Sequence, residues 1–247
     1  IFEWKSWDHF NVTDNTYLDL TSDLLPFIHA NAIEIDYDGN FLISSRNLDE
    51  ITKINRTTGE IIWRWGGSQN EFEFINDYPF THQHCIKSLG DNKYLLFDNG
   101  NFSSNYTNEP NISRAVEYQL DLNTMTATKT WEFSHPDSLF SPSISSVQRL
   151  ENGNTLINFG NLSLIERGAV VTEVNPQNEI VFEFELEIPS SGSSSNIYCA
   201  NKFDWFFDES IVGCNDFEAC NYSNNTINSS VFCEYPGDEC LISEPLI

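Results

Sequence analysis

Short apolar runs, each preceded by a cluster of Asp, Asn and Gly, recur along the chain and predict strands entered through tight turns. The clearest are DGNFLISS (38–45), DNKYLLFD (91–98) and NGNTLINF (152–159). Filling in around them gives four strands per unit. The first unit reads NAIEID (31–36), FLISSR (41–46), EITKIN (50–55) and EIIWRW (60–65). The second reads HCIKSL (84–89), KYLLFD (93–98), RAVEYQLD (114–121) and TKTWEF (128–133). The third reads ISSVQRL (144–150), TLINFG (155–160), AVVTEVN (169–175) and EIVFEFEL (179–186). An aromatic pair at period two closes each unit, at Trp63/Trp65, Trp131/Phe133 and Phe182/Phe184, with Phe2/Trp4 as an earlier copy.

Repeated four-stranded antiparallel units predict an all-β fold of β-propeller type. An irregular sandwich would account for the strands but not for aromatic pairs kept in register. Three units do not close a ring, because propellers typically need about 4–8 blades. IFEWKSW (1–7) reads as the outermost strand of an earlier blade, and NIYCANKF (196–203) as a strand that would complete one. The expectation is the C-terminal half of a propeller over residues 1–206, followed by a Cys-rich module over 207–247. PSSGSSSN (189–196) is the flexible stretch between the last repeat and the tail.

Charge narrows the partners. Among 247 residues, 12 are basic and 37 acidic, a formal charge of −25. A phosphate backbone or an anionic membrane surface would be repelled, so neither nucleic acid nor membrane insertion is expected. No apolar run approaches the roughly 20 residues of a membrane-spanning helix. The chain starts at Ile1, with no basic and apolar leader before the first strand-like segment. That reads as a removed signal or as part of a longer polypeptide.

Five of the six cysteines, Cys199, Cys214, Cys220, Cys233 and Cys240, cluster near the C-terminus. This is the signature of a disulfide-stapled tail in an oxidising compartment, with three connectivities open to the four of the module. Sequons occur at Asn11, Asn55, Asn101, Asn105, Asn111, Asn161, Asn221, Asn224 and Asn228, which are N-glycosylation candidates. Together these features predict a secreted or cell-surface protein.

Candidate chemistry lies at the starts of the innermost strands, which in a propeller line the central channel. His29 and His84 stand at that position in successive units, and Asn31 follows His29 by two residues, on the same strand face by alternation. Arg46 ends the second strand of the first unit, and Arg114 begins the third strand of the next. Arg, Asn and His suit a tetrahedral oxyanion: a planar donor fork, an amide donor, and an imidazole that donates or attacks. A satisfied structural histidine is the competing reading for each. His82 and His84 share a strand face, yet with no third ligand in sight no metal site is assigned. Cys85 alternates away from His84, toward the core. No nucleophile elbow, nucleotide-binding loop or zinc-helix motif is present.

At these residues the sequence resembles the arylsulfotransferase propeller family. The matching strings are HANAIEID (29–36), ISSRNLDEITKINRTTGEIIWRWGG (43–67), QHCIKSL (83–89), LFDNGN (96–101), SRAVEYQLD (113–121) and SVQRLENGNTLINFG (146–160). The resemblance implies a six-bladed propeller and transfer of a sulfuryl group from a phenolic sulfate ester to a phenol, without a nucleotide sulfate donor. It implies that His84 is a nucleophile carrying a transient sulfohistidine, and that His29, Asn31 and Arg46 hold the sulfate. It leaves the role of Arg114 open. A further family histidine from an earlier blade has no counterpart here other than His9. The tail (213–240) resembles a short Cys-rich module of secreted microbial proteins, whose acidic residues would permit Ca²⁺ binding; no other cofactor is implied. The partners implied are a phenolic sulfate donor and a phenol acceptor, with upstream blades or other chains completing the ring. The rival reading is a non-catalytic structural or adhesive glycoprotein that reuses the propeller as a scaffold.

Overall fold

A computed structural model describes residues 2–106, 111–188 and 195–203, and in the tail 212–214, 216, 218–220, 222, 227–228, 233 and 235. The chain divides into two compact units, Ile1–Lys202 and Phe203–Ile247. Within the first, β1 (Ala30–Ile35), β2 (Phe41–Ser45), β3 (Glu50–Ile54) and β4 (Ile61–Gly66) form one antiparallel sheet in chain order. The second sheet contains β6 (His84–Gly90), β7 (Lys93–Asp98), β8 (Arg114–Asp121) and β9 (Thr126–Ser134), with a short β5 (Glu73–Ile75) added at its edge beside β9. The third sheet comprises β10 (Ser146–Arg149), β11 (Thr155–Phe159), β12 (Ala169–Val174) and β13 (Ile180–Leu186). These are three propeller blades, with turns where the Asp/Asn/Gly clusters predict them. Asp91 and Asn92, both at positive φ, form the two-residue turn between β6 and β7.

The blades pack face to face. Leu42, Ile51, Trp63 and Trp65 of the first meet Ile86, Tyr94, Leu96, Val116 and Tyr118 of the second in one buried cluster. Leu95, Phe97, Ala115 and Phe133 of the second meet Val147, Ile157, Phe159 and Val170 of the third in another. Strand β7 therefore sends alternate side chains into two cores, which is why KYLLFD is apolar without alternation. Fully burying one such side chain stabilises the fold by about 1.5–3 kcal/mol. The aromatic pairs take part in this stacking: Trp63 and Trp65 are buried, whereas Phe182 and Phe184 on β13 remain 53% and 47% exposed.

Two expected strands are absent. Residues 2–8 form no strand; a 3-10 turn at Ser6–Asp8 follows Trp4, whose indole Nε1 donates to the Gly59 carbonyl at 2.9 Å. Trp4 packs with Phe10, Phe27, Leu48 and Ile61, so its apolar surface goes into a local cluster instead of a sheet. Residues 196–203 are not a strand either. Side chains of the third blade hold this segment: Asn158 donates to the Ile197 carbonyl (2.8 Å), Ser146 Oγ accepts from Ala200 N (2.9 Å) and Gln148 Oε1 from Lys202 N (2.8 Å). Strand β5, which the sequence pattern did not suggest, pairs parallel to β9.

In the second unit, β14 (Val212–Gly213) and β15 (Ile227–Asn228) pair in parallel, and Cys214 and Cys233 form a disulfide. Cys220 is also disulfide-bonded. Cys199, expected to pair, is instead an exposed free thiol whose Sγ accepts from Asn201 Nδ2 at 3.2 Å. Cys240, Asn221 and Asn224 lie outside the described residues. Asn11 and Asn105 are exposed, while Asn55, Asn101, Asn111 and Asn161 are half-buried, and Asn161 Nδ2 already donates to Ser143 Oγ.

Arg114, only 1% exposed, ties the second blade together. Its guanidinium donates to Asp98 (3.0 Å), Asp77 (2.8 Å) and Glu132 (3.0 Å), and lies over the Tyr78 ring. Burial works to lower its pKa, but Asp98, Tyr118 and Asp77 outweigh it and raise the value. Arg114→Leu leaves Asp98 buried without a cation, and Asp77 with Lys129 alone, at 3.3 Å. Denaturant unfolding is expected to show a loss of about 3–5 kcal/mol; an unchanged midpoint would mean the network contributes nothing.

Candidate active site

The inner strands of the first two blades begin alike. His29 and His82 both adopt left-handed backbone conformations, φ 51° and 55°, two residues ahead of Asn31 and His84. Ile144 occupies the corresponding place before β10, with φ 56°. The β1–β2 register then slips between Ala30 and Ala32, and the β6–β7 register between His84 and Lys87, where Cys85 has φ 58°. Such bulges re-aim a side chain. The expected sharing of one strand face by His29 with Asn31, and by His82 with His84, therefore does not hold: each first residue stands outside its strand.

Spacing also repeats across the blades. Arg46 follows Asn31 by fifteen residues, and Asn99 follows His84 by the same interval. Nothing in its local sequence singles out Asn99, and this constant interval is the signal that finds it. Its amide orientation is set by two carbonyls, because Nδ2 donates to Ser141 O (2.7 Å) and Ile144 O (3.1 Å). Its Oδ1 therefore faces His84 Nδ1 at 2.8 Å, and the His82 carbonyl faces the same nitrogen at 3.1 Å. Both partners are acceptors, so Nδ1 carries the proton. Nε2 keeps its lone pair and makes no hydrogen bond among the described residues. Burial chiefly, with the Arg46 guanidinium and the His29 ring adding to it, brings the His84 pKa down to about 4 against the hydrogen bonds at Nδ1. His84 is neutral at pH 7.

Arg46 stands at the end of β2, its amide donating to the His29 carbonyl at 3.0 Å. Its side chain donates to two neutral acceptors, Asn47 Oδ1 (3.0 Å) and Pro142 O (3.2 Å), and its buried Nε has no partner. Among the described residues no carboxylate lies within ion-pair distance of it, whereas Arg64, Arg114, Arg149 and Arg167 each have one. In so acidic a chain, this leaves a fixed positive charge beside His84 and His29. The His29 pKa is lowered by burial, then by Arg46 and His82.

Asn31 donates to the Gln83 carbonyl at 2.7 Å and so links the two inner strands; its buried Oδ1 has no partner. Gln83 returns the link, Nε2 donating to Ser44 Oγ (3.1 Å) and to the Glu50 carbonyl (3.0 Å). Arg114 acts from behind. It holds Asp98, whose Oδ1 accepts from Thr81 N and Gly100 N, both at 3.0 Å, on either flank of the site. His9 stacks on Trp4 at 4.5 Å and makes no contact with this cluster among the described residues. No group of three or more His, Cys, Asp or Glu suited to a metal ion occurs among the described residues.

Long-range proton–nitrogen NMR of His84 is expected to show the Nδ1–H tautomer titrating near pH 4. Asn99→Ala should admit the Nε2–H form; Nε2–H in the wild type would contradict the assignment. Folded His84 binds its proton only below about 4, an unfolded histidine below roughly 6.5. The unfolded chain thus holds more protons in this window, and the contribution of His84 to stability falls as pH drops from 6.5 towards 4.

The arylsulfotransferase (ASST) family model matches residues 4–198. No protein of curated function matches the chain. Among solved structures, a catalytically inactive virginiamycin B lyase from Staphylococcus aureus with quinupristin is 15% identical, over 67% of this chain and 43% of that one, with a TM-score of 0.38. A protein of unknown function from Bacteroides caccae is 18% identical, over 63% and 46%, with a TM-score of 0.37. A PQQ-bound aldose sugar dehydrogenase from Streptomyces coelicolor is 12% identical, over 61% and 45%, with a TM-score of 0.40. The chain thus spans less than half the length of these structures, and likeness at this level carries nothing about activity. With the family model covering all three blades and the His84–Arg46 site, the chain belongs to the arylsulfotransferase family.

Proposed function

We propose that the site transfers a sulfuryl group from a phenolic sulfate ester to a phenol through a sulfohistidine on His84. The observation that carries this reading is a neutral imidazole, its Nε2 lone pair free, beside Arg46, which among the described residues has only neutral hydrogen-bond acceptors. Nε2 attacks sulfur as the S–O bond to the phenolic oxygen breaks, and the electron pair leaves on that oxygen. The imidazole then bears SO₃ on Nε2 and keeps its Nδ1 proton, whose hydrogen bond to Asn99 Oδ1 strengthens as the ring becomes cationic. An acceptor phenol reverses the step, giving ping-pong kinetics.

Arg46 supplies the fixed charge for the sulfuryl oxygens, and preorganised donors of this kind are commonly the largest catalytic contribution. His29 adds an imidazole on the exposed side of the cluster. Asn31 contributes its remaining N–H and holds the two inner strands in register. No nucleotide donor enters the scheme.

The disulfide between Cys214 and Cys233 supports a secreted or cell-surface location. The exposed faces of the terminal blades, with Ile33 and Ile35 on β1 and Phe182 and Phe184 on β13, support completion of the ring by further blades, from the same polypeptide or from another chain.

Phenol release from p-nitrophenyl sulfate is expected to vanish in His84→Ala. In Arg46→Gln it should fall by about 10²–10³ in kcat, as for the loss of one donor to developing charge. Sulfuryl transfer undiminished in His84→Ala would overturn the mechanism.

A further inference from the structure

Sulfuryl transfer between two phenols also moves a proton, and His84 cannot carry it. Its Nε2 bonds to sulfur, and its Nδ1 proton is committed to Asn99 and the His82 carbonyl. His29 makes no side-chain hydrogen bond among the described residues, so nothing there fixes its tautomer. The remaining imidazole of the cluster is His82, and it is held quite differently.

Asp49 lies 33 residues upstream and accepts from the His82 amide at 2.6 Å; its Oδ1 is also 3.0 Å from His82 Nδ1. The Tyr17 hydroxyl donates to its other oxygen. A carboxylate with three donors on it keeps the proton of His82 on Nδ1 and leaves Nε2 as the working nitrogen, with no partner among the described residues. The backbone is shaped for this pair. Asp49 and His82 are both left-handed, at φ 53° and 55°, and a Cβ on Gly66 would collide with the Asp49 carbonyl. Each left-handed non-glycine residue costs on the order of 1 kcal/mol or more, and such strain concentrates at functional sites.

The surroundings suit an aryl group. The Tyr17 and Phe102 rings meet the His82 ring edge-on, at 4.9 and 5.3 Å between centroids, and Phe102 is 70% exposed. Together they leave aromatic surface beside the imidazole.

We infer that His82, oriented by Asp49, is the general acid–base that shuttles the phenolic proton at the His84 site, a role that rests on the sulfuryl-transfer reading. In the first half-reaction His82 acts as the imidazolium, protonated on both nitrogens beside the Asp49 carboxylate: the S–O bond breaks and Nε2–H gives its proton to the departing phenolic oxygen, leaving the neutral Nδ1–H ring. In the second, the acceptor phenol gives its proton to the now neutral Nε2 as its oxygen attacks sulfur and the S–N bond breaks, returning the electron pair to His84. The sulfuryl group and the proton move in opposite directions, and both histidines end as they began.

The test is the dependence of kcat/KM on the donor's leaving group, which in a ping-pong scheme reads the first half-reaction alone. p-Nitrophenolate departs without help, whereas p-cresolate needs a proton. His82→Gln is expected to lower kcat/KM by about 100-fold or more for p-cresyl sulfate, with a loss for p-nitrophenyl sulfate smaller by about tenfold or more. Asp49→Asn should reproduce the donor-selective pattern in weaker form, and serves if His82→Gln does not fold. Equal losses on both donors would overturn the acid–base role and leave His82 a structural residue. A wild-type protein that releases neither phenol would instead defeat the sulfuryl-transfer reading, and this role with it.

Discussion

The middle blade has apolar side chains on both faces, and everything else follows from covering them. Tyr94 and Leu96 of β7 point into one core, Leu95 and Phe97 into the other, so a blade must stack on each side. Stacking three twisted sheets in this way brings β1 and β6 close enough for Asn31 to reach the Gln83 carbonyl, and for Gln83 to reach Ser44 and Glu50 in return. The candidate cluster sits where this polar seam meets the bulged starts of the inner strands.

A scaffold packed this firmly can hold conformations a looser one would relax. His29, Asp49, His82 and Cys85 all have left-handed backbones, and Arg46 keeps a buried Nε with no partner. Low dielectric around the site makes each hydrogen bond count for more. It also explains why two acceptors at Nδ1, Asn99 Oδ1 and the His82 carbonyl, choose the tautomer of His84 while burial keeps the ring neutral. The net charge of −25 bears on the same point. The anionic donor of the proposed reaction would meet repulsion at long range, which places the weight of binding on Arg46, free among the described residues of the carboxylates that hold Arg64, Arg114, Arg149 and Arg167.

Much of this was written locally in the sequence. The turns before 41, 93 and 155, the unbroken apolar run of KYLLFD and the paired tryptophans all report short-range physics, and the blades appear where those signals place them. The spacing of His29, Asn31, Arg46 and His84 was legible for the same reason. What escaped depends on distance along the chain. Asp49 meets His82 across 33 residues, and Asn99 takes its orientation from Ser141 and Ile144 more than 40 residues away. Residues 2–7 and 196–203 have strand-like composition, yet the Trp4 indole goes to the Gly59 carbonyl and a local cluster, and side chains of the third blade take up Ile197, Ala200 and Lys202. Bulges are equally invisible in a pattern of alternation, which is why the histidine pairs do not share faces.

The central claim is that His84 Nε2 becomes covalently sulfurylated. The most direct measurement is acid-free rapid quenching of the protein with p-nitrophenyl sulfate in the absence of a phenol acceptor, followed by peptide mass spectrometry under alkaline conditions that preserve N–S bonds. The account predicts one SO₃ group on the peptide containing His84, attached at Nε2 and discharged on addition of phenol. Turnover with no label on that peptide, or with the label on His29 or His82, would contradict it.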